Sequence, residues 1–317
     1  MKTIHLHQQD PYWNLALEEY MLKDALIEED LFYVWKNSPC IVLGRNQNPY
    51  REVALLEASK SHIPVIRRIS GGGCVFHDEG NLNFTFVTND YKGKINQYEL
   101  FLEYVIKTLN YMGIQATFHG KSDIYIGNTK ISGNAQSFHK NRLIHHGTLL
   151  FQADLMGLNR YLHGSIPSTV GPLVESNRSK VGNIVDYIPV KMTMEEFEKV
   201  FLDAFQMANQ LVLEERKLTA IEFDSISSLA DSKYRSFEWN YGETPPFSKH
   251  IFDEMNQLIA IMDIHQATIE HVTMTSPNSS LNLQFLENQR FEIETIKRLL
   301  VEFGIEDPSK WLERIFR

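Results

Sequence analysis

The chain has 317 residues, of which 43% are hydrophobic, 22% charged and 11% aromatic, so it can bury one large core with or without a small appendage and is not a disordered chain. Its 40 acidic and 31 basic residues leave a net charge of −9, which argues against a general nucleic-acid binder, since such binders neutralise phosphates with basic side chains. Two cysteines are too few for a disulfide framework, MKTIHLHQQDPYWN lacks the cationic start and apolar core of a signal peptide, and no apolar run is long enough to span a bilayer, so a reduced, cytoplasmic, soluble protein is expected.

In chain order, alternating apolar residues predict short strands at TIHLH, at Phe32 to Trp35 and at Ile41 to Leu43. Between the first two, WNLALEEYMLKDAL places Leu15, Leu17, Tyr20 and Met21 on one helical face. PVIRRI, GCVFH, NLNFTFV, SDIYIG, TKISGNAQSF and RLIHHGTLLF follow as strands, several joined by short Gly/Asn/Asp turns that favour hairpins. QYELFLEYVIKTLNYMG and MTMEEFEKVFLDAFQMANQL read as helices, the first ending at Gly113. The turn-rich FEWNYGETPPFSKH marks the end of the main domain. Beyond it LIAIMDIHQATIEHVTM predicts two strands and FEIETIKRLLVEFG a helix. The expectation is an α+β fold with a mixed, largely antiparallel sheet packed with helices over residues 1–250. A small α+β C-terminal domain over 251–317 completes it.

In PVIRRISGGGCVFHDEGNLNFTFV, three consecutive glycines lie between two strand-like segments. Glycine allows positive φ and close backbone approach, so exposed N–H groups can cradle an anion there. Arg67 and Arg68 upstream can bring a guanidinium to a phosphate or carboxylate, and His77 and Asp78 form the other lip. Neither the dinucleotide-binding nor the P-loop pattern is present. The long stretch RRISGGGCVFHDEGNLNFTF closely resembles the signature of the lipoate–protein ligase A family, within the superfamily of lipoate ligases, octanoyl transferases and biotin ligases. Cys74 stands where that family more usually has alanine. The resemblance implies that Arg68, Gly73, Cys74, Val75 and Phe76 line an ATP and adenylate site, with Ser70 and His77 close by.

Downstream, HGKSDIYIGNTKISGNAQ carries a strand, a turn at Gly127-Asn128 and Lys130 at the start of the next strand. Attack of a carboxylate on the α-phosphate of ATP builds negative charge that a fixed cation stabilises. In the context K-I-S-G-N-A, Lys130 matches the family's catalytic lysine, and the resemblance implies that it touches both the acid's carboxylate and the α-phosphate. Asp123 matches an acidic position near the nucleotide and is the expected Mg²⁺ ligand, a single carboxylate sufficing beside phosphate oxygens. RLIHHGTLLFQADL also matches, with His145, His146 and Gly147 at the site edge. Successive strand residues point to opposite faces, so at most one histidine faces the pocket, and no third ligand stands at a spacing that suggests zinc.

WNLALEE and FYVWKN resemble the family's N-terminus and imply Leu15, Leu17, Glu18 and Trp35 as lining for a narrow apolar tunnel that holds (R)-lipoate. Ser70, His77, Lys130 and His146 are implied beside it. VGPLVESNRSKVGNI matches the second half of the adenylate-binding loop, with Ser176, Arg178, Lys180 and Asn183 on its S-x-R-S-[RK]-V-x-N pattern. The first half departs, because Pro172 and Leu173 stand where a lysine–glycine pair is usual. The resemblance implies an AMP-forming ligase in which lipoate and Mg·ATP give lipoyl-AMP. A lysine of an acceptor domain, on a 2-oxoacid dehydrogenase E2 subunit or a glycine-cleavage H protein, then takes the lipoyl group. A loop at 171–185 is expected to shield the intermediate from water. No nucleic-acid or membrane partner is expected, and the chain is expected to act as a monomer. The competing readings are a transferase of the same fold that uses a cysteine thioester, for which Cys74 is the candidate nucleophile, and a non-catalytic lipoate-binding protein. Cys74 sits inside the expected ATP loop and is read as a small packing residue.

Overall fold

The computed structural model describes residues 1–23, 29–89, 91–162, 168–171, 176, 179–188, 190–252, 257–275 and 282–316. Among these, no helix is long and apolar enough to cross a membrane. The first helix, Pro11–Lys23, starts with proline at its first turn, where the missing N–H costs nothing, and Asp10 accepts from the Tyr12 amide. It is buried on nearly all sides, which is why its sequence shows little amphipathic contrast.

An eight-stranded sheet forms the body, in the spatial order Glu214–Glu215, Lys2–Thr3, Leu31–Trp35, Asn81–Thr88, Arg142–Leu150, Thr129–His139, Asp123–Ile126, Ala116–His119. Its centre is antiparallel, and only the Lys2–Thr3 strand pairs in parallel with both neighbours. The strand expected over TIHLH therefore shrinks to Lys2–Thr3, whose outer partner is itself two residues long. On one face, Phe32, Phe84, Phe86 and Leu143 pack with helices Tyr98–Tyr111 and Met194–Asn209. On the other, Tyr33, Trp35 and Val87 pack with the first helix. A smaller sheet orders Val65–Arg67, Cys40–Leu43 and Val75–His77. It brings the glycine loop against the larger sheet.

A four-stranded sheet of Thr169–Val170, Phe247–Phe252, Leu258–His265 and Thr268–Met274 carries helices Ile293–Glu302 and Pro308–Phe316. The two expected strands and the helix of the tail are therefore present. Residue 250, the expected boundary, falls within the Phe247–Phe252 strand, which begins directly after Pro245-Pro246. This unit also shares a core with the smaller sheet, Tyr50, Phe247, Phe291 and Phe316 lying in one cluster with Ile41 and Leu43.

Candidate active site

A cleft of about 320 Å³ opens between the two sheets, lined by Leu15, Glu18, Trp35 and Val42, by Arg68 and Gly72 to Val75, and by His77, Asn83, Asp123, Lys130, His146 and Ser176. This is the small end of the range for small-molecule sites, which suits a short acid better than a bulky ligand. The parity of two buried strands gives it a polar floor. In Asn81–Thr88 every residue is buried, and Leu82, Phe84 and Phe86 take the core face, so Asn83 and Thr85 must face the cleft side. In Arg142–Leu150 the same alternation turns His146 to the cleft and packs His145 between Phe84 and Phe101. Gly147 lies between them because a Cβ there would stand 1.8 Å from Asn134 Oδ1 and 2.5 Å from Phe84 Cζ.

Lys130 begins the Thr129–His139 strand, and its Nζ lies 3.0 Å from Asp123 Oδ2 on the neighbouring strand. The segment at 180–182 clasps its backbone, with Lys130 N donating to Lys180 O and Gly182 N donating to Lys130 O. Asp123 therefore holds the ammonium, while the clasp fixes the strand that carries it. Across from it lies the glycine loop, with Gly72 at φ +93°, a conformation that side chains rarely adopt. Arg68 lines the cleft, but its guanidinium is taken up by the loop itself, donating to Val42 O, Ser70 Oγ, Gly71 O and Gly73 O. Burial lowers its pKa to about 10. Arg67 is fully buried away from the cleft and donates to the carbonyls of Gly44, Arg45, Gln47, Trp239 and Asn240. Of the two arginines expected to reach an anion, Arg67 therefore does not meet the cleft, whereas Arg68 lines it. With so many carbonyls turned inward, the guanidiniums serve as the loop's internal scaffold.

Beneath the cleft runs a chain of buried polar contacts. Trp35 Nε1 donates to Thr85 Oγ1 at 2.8 Å, and Thr85 Oγ1 donates to Glu18 Oε1 at 2.7 Å. The Glu18 carboxylate also meets His146 Nδ1 at 2.9 Å, and His146 Nε2 lies 2.7 Å from Ser70 Oγ. Glu18 is 1% exposed, so this network, and not solvent, satisfies it. His77 is also buried, and desolvation lowers its pKa to about 3, so its ring is neutral at physiological pH. Cys74 is a buried free thiol whose ionisation burial pushes upward, the opposite of an activated nucleophile. Leu17 is core and does not line the cleft.

Of the predicted adenylate loop, Ser176 joins the cleft. Its hydroxyl donates to Glu52 Oε2 at 2.5 Å and accepts from Cys74 N and Gln47 Nε2 at 2.9 and 3.0 Å. Asn183 instead brackets the backbone of Ala153 with both ends of its amide, and Lys180 contributes its carbonyl to Lys130. Arg178, Pro172 and Leu173 lie outside the described residues. A second cavity of about 420 Å³ abuts the first, sharing Cys74, Val75, Lys130 and Ser176, and adds apolar walls from Phe76, Leu150, Leu158 and Val181. Asp123 sits at its junction with the cleft as one carboxylate. No group of three or more His, Cys, Asp or Glu able to hold a metal occurs among the described residues. Sequence reasoning missed Asn83, Asn134, Gln47 and Glu52. Asn83 was findable, as the polar phase of a strand whose other phase is Leu-Phe-Phe. Glu52 and Gln47 sit in a short helix and its lead-in without any distinguishing pattern.

Residues 10–206 match the model of the lipoyl protein ligase A/B catalytic domain. The chain is 37% identical over 264 residues to lipoate–protein ligase 1 of Staphylococcus aureus, covering 83% of this chain and 80% of that protein. Its fold is similar to a bipartite lipoate–protein ligase from Thermoplasma acidophilum, described with its E2 lipoyl domain, with a TM-score of 0.67 and 24% identity over 77% of this chain and 97% of that one. It is also similar to lipoate–protein ligase A bound with ATP, with a TM-score of 0.64 and 25% identity over 76% of this chain and 98% of that one.

Proposed function

Because the chain belongs to the lipoyl protein ligase A/B family, we propose that it activates lipoate with ATP and transfers the lipoyl group from lipoyl-AMP to a lysine of an acceptor domain. The observation that carries this reading is the fixed ammonium of Lys130, 3.0 Å from Asp123, over a small cleft that continues into a second cavity. The cleft takes the acyl chain and the adjoining cavity takes the nucleotide, so that carboxylate and α-phosphate meet at Lys130.

In the first step a lipoate carboxylate oxygen forms a bond to the α-phosphorus and the bond to pyrophosphate breaks. Negative charge builds on the transferring phosphoryl oxygens, and a preorganised cation beside them lowers that barrier most. Lys130 and the Cys74 amide supply the protein's share of this stabilisation. The Cys74 N–H, which donates to the Ser176 hydroxyl oxygen in the unliganded site, would exchange that partner for a phosphoryl oxygen. Arg68, Gly73, Val75, Phe76, Ser176, Lys180 and Asn183 complete or support the nucleotide side. Leu15, Glu18, Trp35, Ser70, His77 and His146 hold the acid.

Asp123 is one carboxylate, 20% exposed at the cleft, which fits a magnesium ion that takes its remaining ligands from phosphate oxygens and water. Bound there with the nucleotide, Mg²⁺ supplies neutralisation of the phosphate charge. In the second step the acceptor amine attacks the acyl carbon and AMP leaves with the electron pair of the broken anhydride bond. The acceptors are lipoyl domains of 2-oxoacid dehydrogenase E2 subunits or glycine-cleavage H proteins. An ATP-dependent reaction with two free buried cysteines fits the cytoplasm, and a monomer is the simplest form that carries it. The raised Cys74 thiol supports the ligase over a thioester transferase.

The test is to incubate the protein with lipoate, Mg·ATP and a panel of apo acceptor domains. Pyrophosphate release should require lipoate, and mass spectrometry should find one lipoyl group on one acceptor lysine. Acceptor modification without ATP would sink the reading.

A further inference from the structure

This inference rests on the reading above and deepens it to the recognition of the acid's far end. Measured from Lys130, the sheet register sets out a row across one face. Gly133 lies against the Lys130 side chain, 3.3 Å from Cε for a built Cβ, and donates to Thr148 Oγ1. Thr148 pairs with Asn83, and Asn83 pairs with Trp35. Asn83 therefore lies two strands from the lysine strand, about 10 Å away at normal strand spacing, which an extended chain of lipoate's length spans. His77 joins that end of the row, its ring edge-on to Trp35 with centroids 6.1 Å apart.

Nearly every polar group there is satisfied within the protein. Trp35 Nε1 and Glu18 belong to the network already described. Among the unpartnered buried atoms of the cleft-lining residues, beside Asn134 Oδ1, are His77 Nε2 and Asn83 Nδ2, on side chains 4% and 2% exposed. The network also assigns their chemistry. Asn14 Nδ2 donates to Lys36 O and to Asn37 Oδ1, so the Asn37 amide nitrogen faces His77 and donates to its Nδ1 at 3.1 Å. A ring that accepts at Nδ1 carries its proton on Nε2. Asn83 Oδ1 accepts from Asn81 Nδ2 at 2.9 Å, and its NH₂ is the end without a partner. Both unpartnered atoms are donors.

We propose that His77 and Asn83 form a tail-recognition pair that selects acids carrying a hydrogen-bond-accepting atom at the far end, such as the dithiolane sulfur of lipoate, over methyl-ended fatty acids of the same length. A methyl-ended tail expels water from the pair and leaves two buried donors unsatisfied, whereas an accepting tail does not. Sites that hydrogen-bond one substrate reject the analogue lacking the partner far more strongly than purely apolar pockets do. Sulfur is a weak acceptor, so the selectivity expected is about tenfold or more.

The experiment measures direct binding by calorimetry, without ATP, so that it does not depend on the ligase chemistry. On the unaltered protein, lipoate should bind at least about tenfold tighter than octanoate, and a methoxy-ended acid of octanoate's length should also bind tighter than octanoate despite its greater solubility in water. Asn83→Leu, of similar γ-branched shape and without donors, should bring the lipoate-to-octanoate ratio towards one by gaining octanoate. Equal binding of octanoate and the methoxy-ended acid to the unaltered protein would overturn the proposal, and so would an unchanged ratio in folded Asn83→Leu. If the binding pattern holds but no acid-dependent pyrophosphate release occurs, the tail pair stands and the ligase reading fails.

Discussion

Replacing Lys130 by alanine separates a catalytic role from a structural one. Its salt bridge to Asp123 joins two side chains that are each 20% exposed, and a pair so placed contributes at most about 1 kcal/mol. The backbone clasp by Lys180 and Gly182 involves only main-chain atoms and survives truncation. Folding stability should therefore change by less than about 1 kcal/mol, well within what urea unfolding resolves. The loss in the transition state is much larger, because removing one preorganised group aimed at developing charge typically costs about 10² to 10³ in kcat, or roughly 3–4 kcal/mol. Lipoate-dependent pyrophosphate release, measured under single-turnover conditions, should fall by at least that factor while the unfolding midpoint stays put. Lys130→Arg should recover little, since the bulkier fork cannot occupy a slot that the Asp123 carboxylate and the Gly133 backbone already define. An alanine variant that keeps its rate within about fivefold, or one that loses rate and stability in parallel, would refute the assignment.

Cys74→Ala should leave adenylation and transfer within about threefold of the parent, because the thiol is buried and un-ionised. Progressive inactivation of the parent by a small alkylating reagent, absent in the variant, would contradict that. Arg67→Met should destabilise the fold by about 3 kcal/mol or more, since it strands the carbonyls of Gly44, Gln47, Trp239 and Asn240 in the interior; a chemical-denaturation midpoint equal to the parent's would refute the scaffold role. His77 and His145 are both held neutral by burial, His77 at about 3, so as pH falls below about 6.5 the unfolded chain takes up protons that the native rings refuse. Stability should drop by up to about 1.4 kcal/mol per pH unit per ring. Urea titrations from about pH 7 to about pH 5 should show a shallower slope in His145→Phe than in the parent, and identical slopes would count against the assignment.

Most strands and the long helices were legible because their hydrophobic phase matches their period, as in Asn81–Thr88, Arg142–Leu150 and Met194–Asn209. What escaped was set by tertiary context. Helix Ala220–Leu229 and the π-type turn Ala230–Tyr234, which pack beside the first helix, were not read from the sequence, although Thr219 and Glu222 form a capping box at the helix start. The Thr169–Val170 strand is only two residues long, and nothing local predicts that it joins a sheet whose next strand begins at Phe247. In the site, motif reading found Lys130, Asp123, Arg68, Glu18 and His146, which the cleft gathers. It could not tell that the Asn183 side chain faces the Ala153 backbone or that Lys180 meets Lys130 through its carbonyl, because a motif gives residue types and spacing without direction.

The paired arginines are the clearest case of direction reversing an inference. A guanidinium beside three glycines suggests an anion ligand, yet both are spent on carbonyl oxygens, at the desolvation cost that lowers each pKa to about 10. The cost makes sense once the loop's own dipoles are considered. A glycine-rich turn left to itself samples many conformations, and in those that turn its carbonyls towards a bound anion it repels the anion. Arg68 removes those states by holding the carbonyls of Gly71 and Gly73, and Arg67 anchors the strand that leads into the turn to Trp239 and Asn240. What then faces the cleft is an amide, that of Cys74, already donating to the Ser176 hydroxyl. The positive charge thus acts once removed from the ligand, by fixing which end of the peptide dipole the ligand meets. An Arg68→Lys variant keeps the charge but loses the fork that spans Gly71 and Gly73, so it should weaken ATP binding severalfold more than charge retention alone predicts. If Arg68→Lys binds ATP as tightly as the parent, the arginine's role is charge alone and the orienting argument fails.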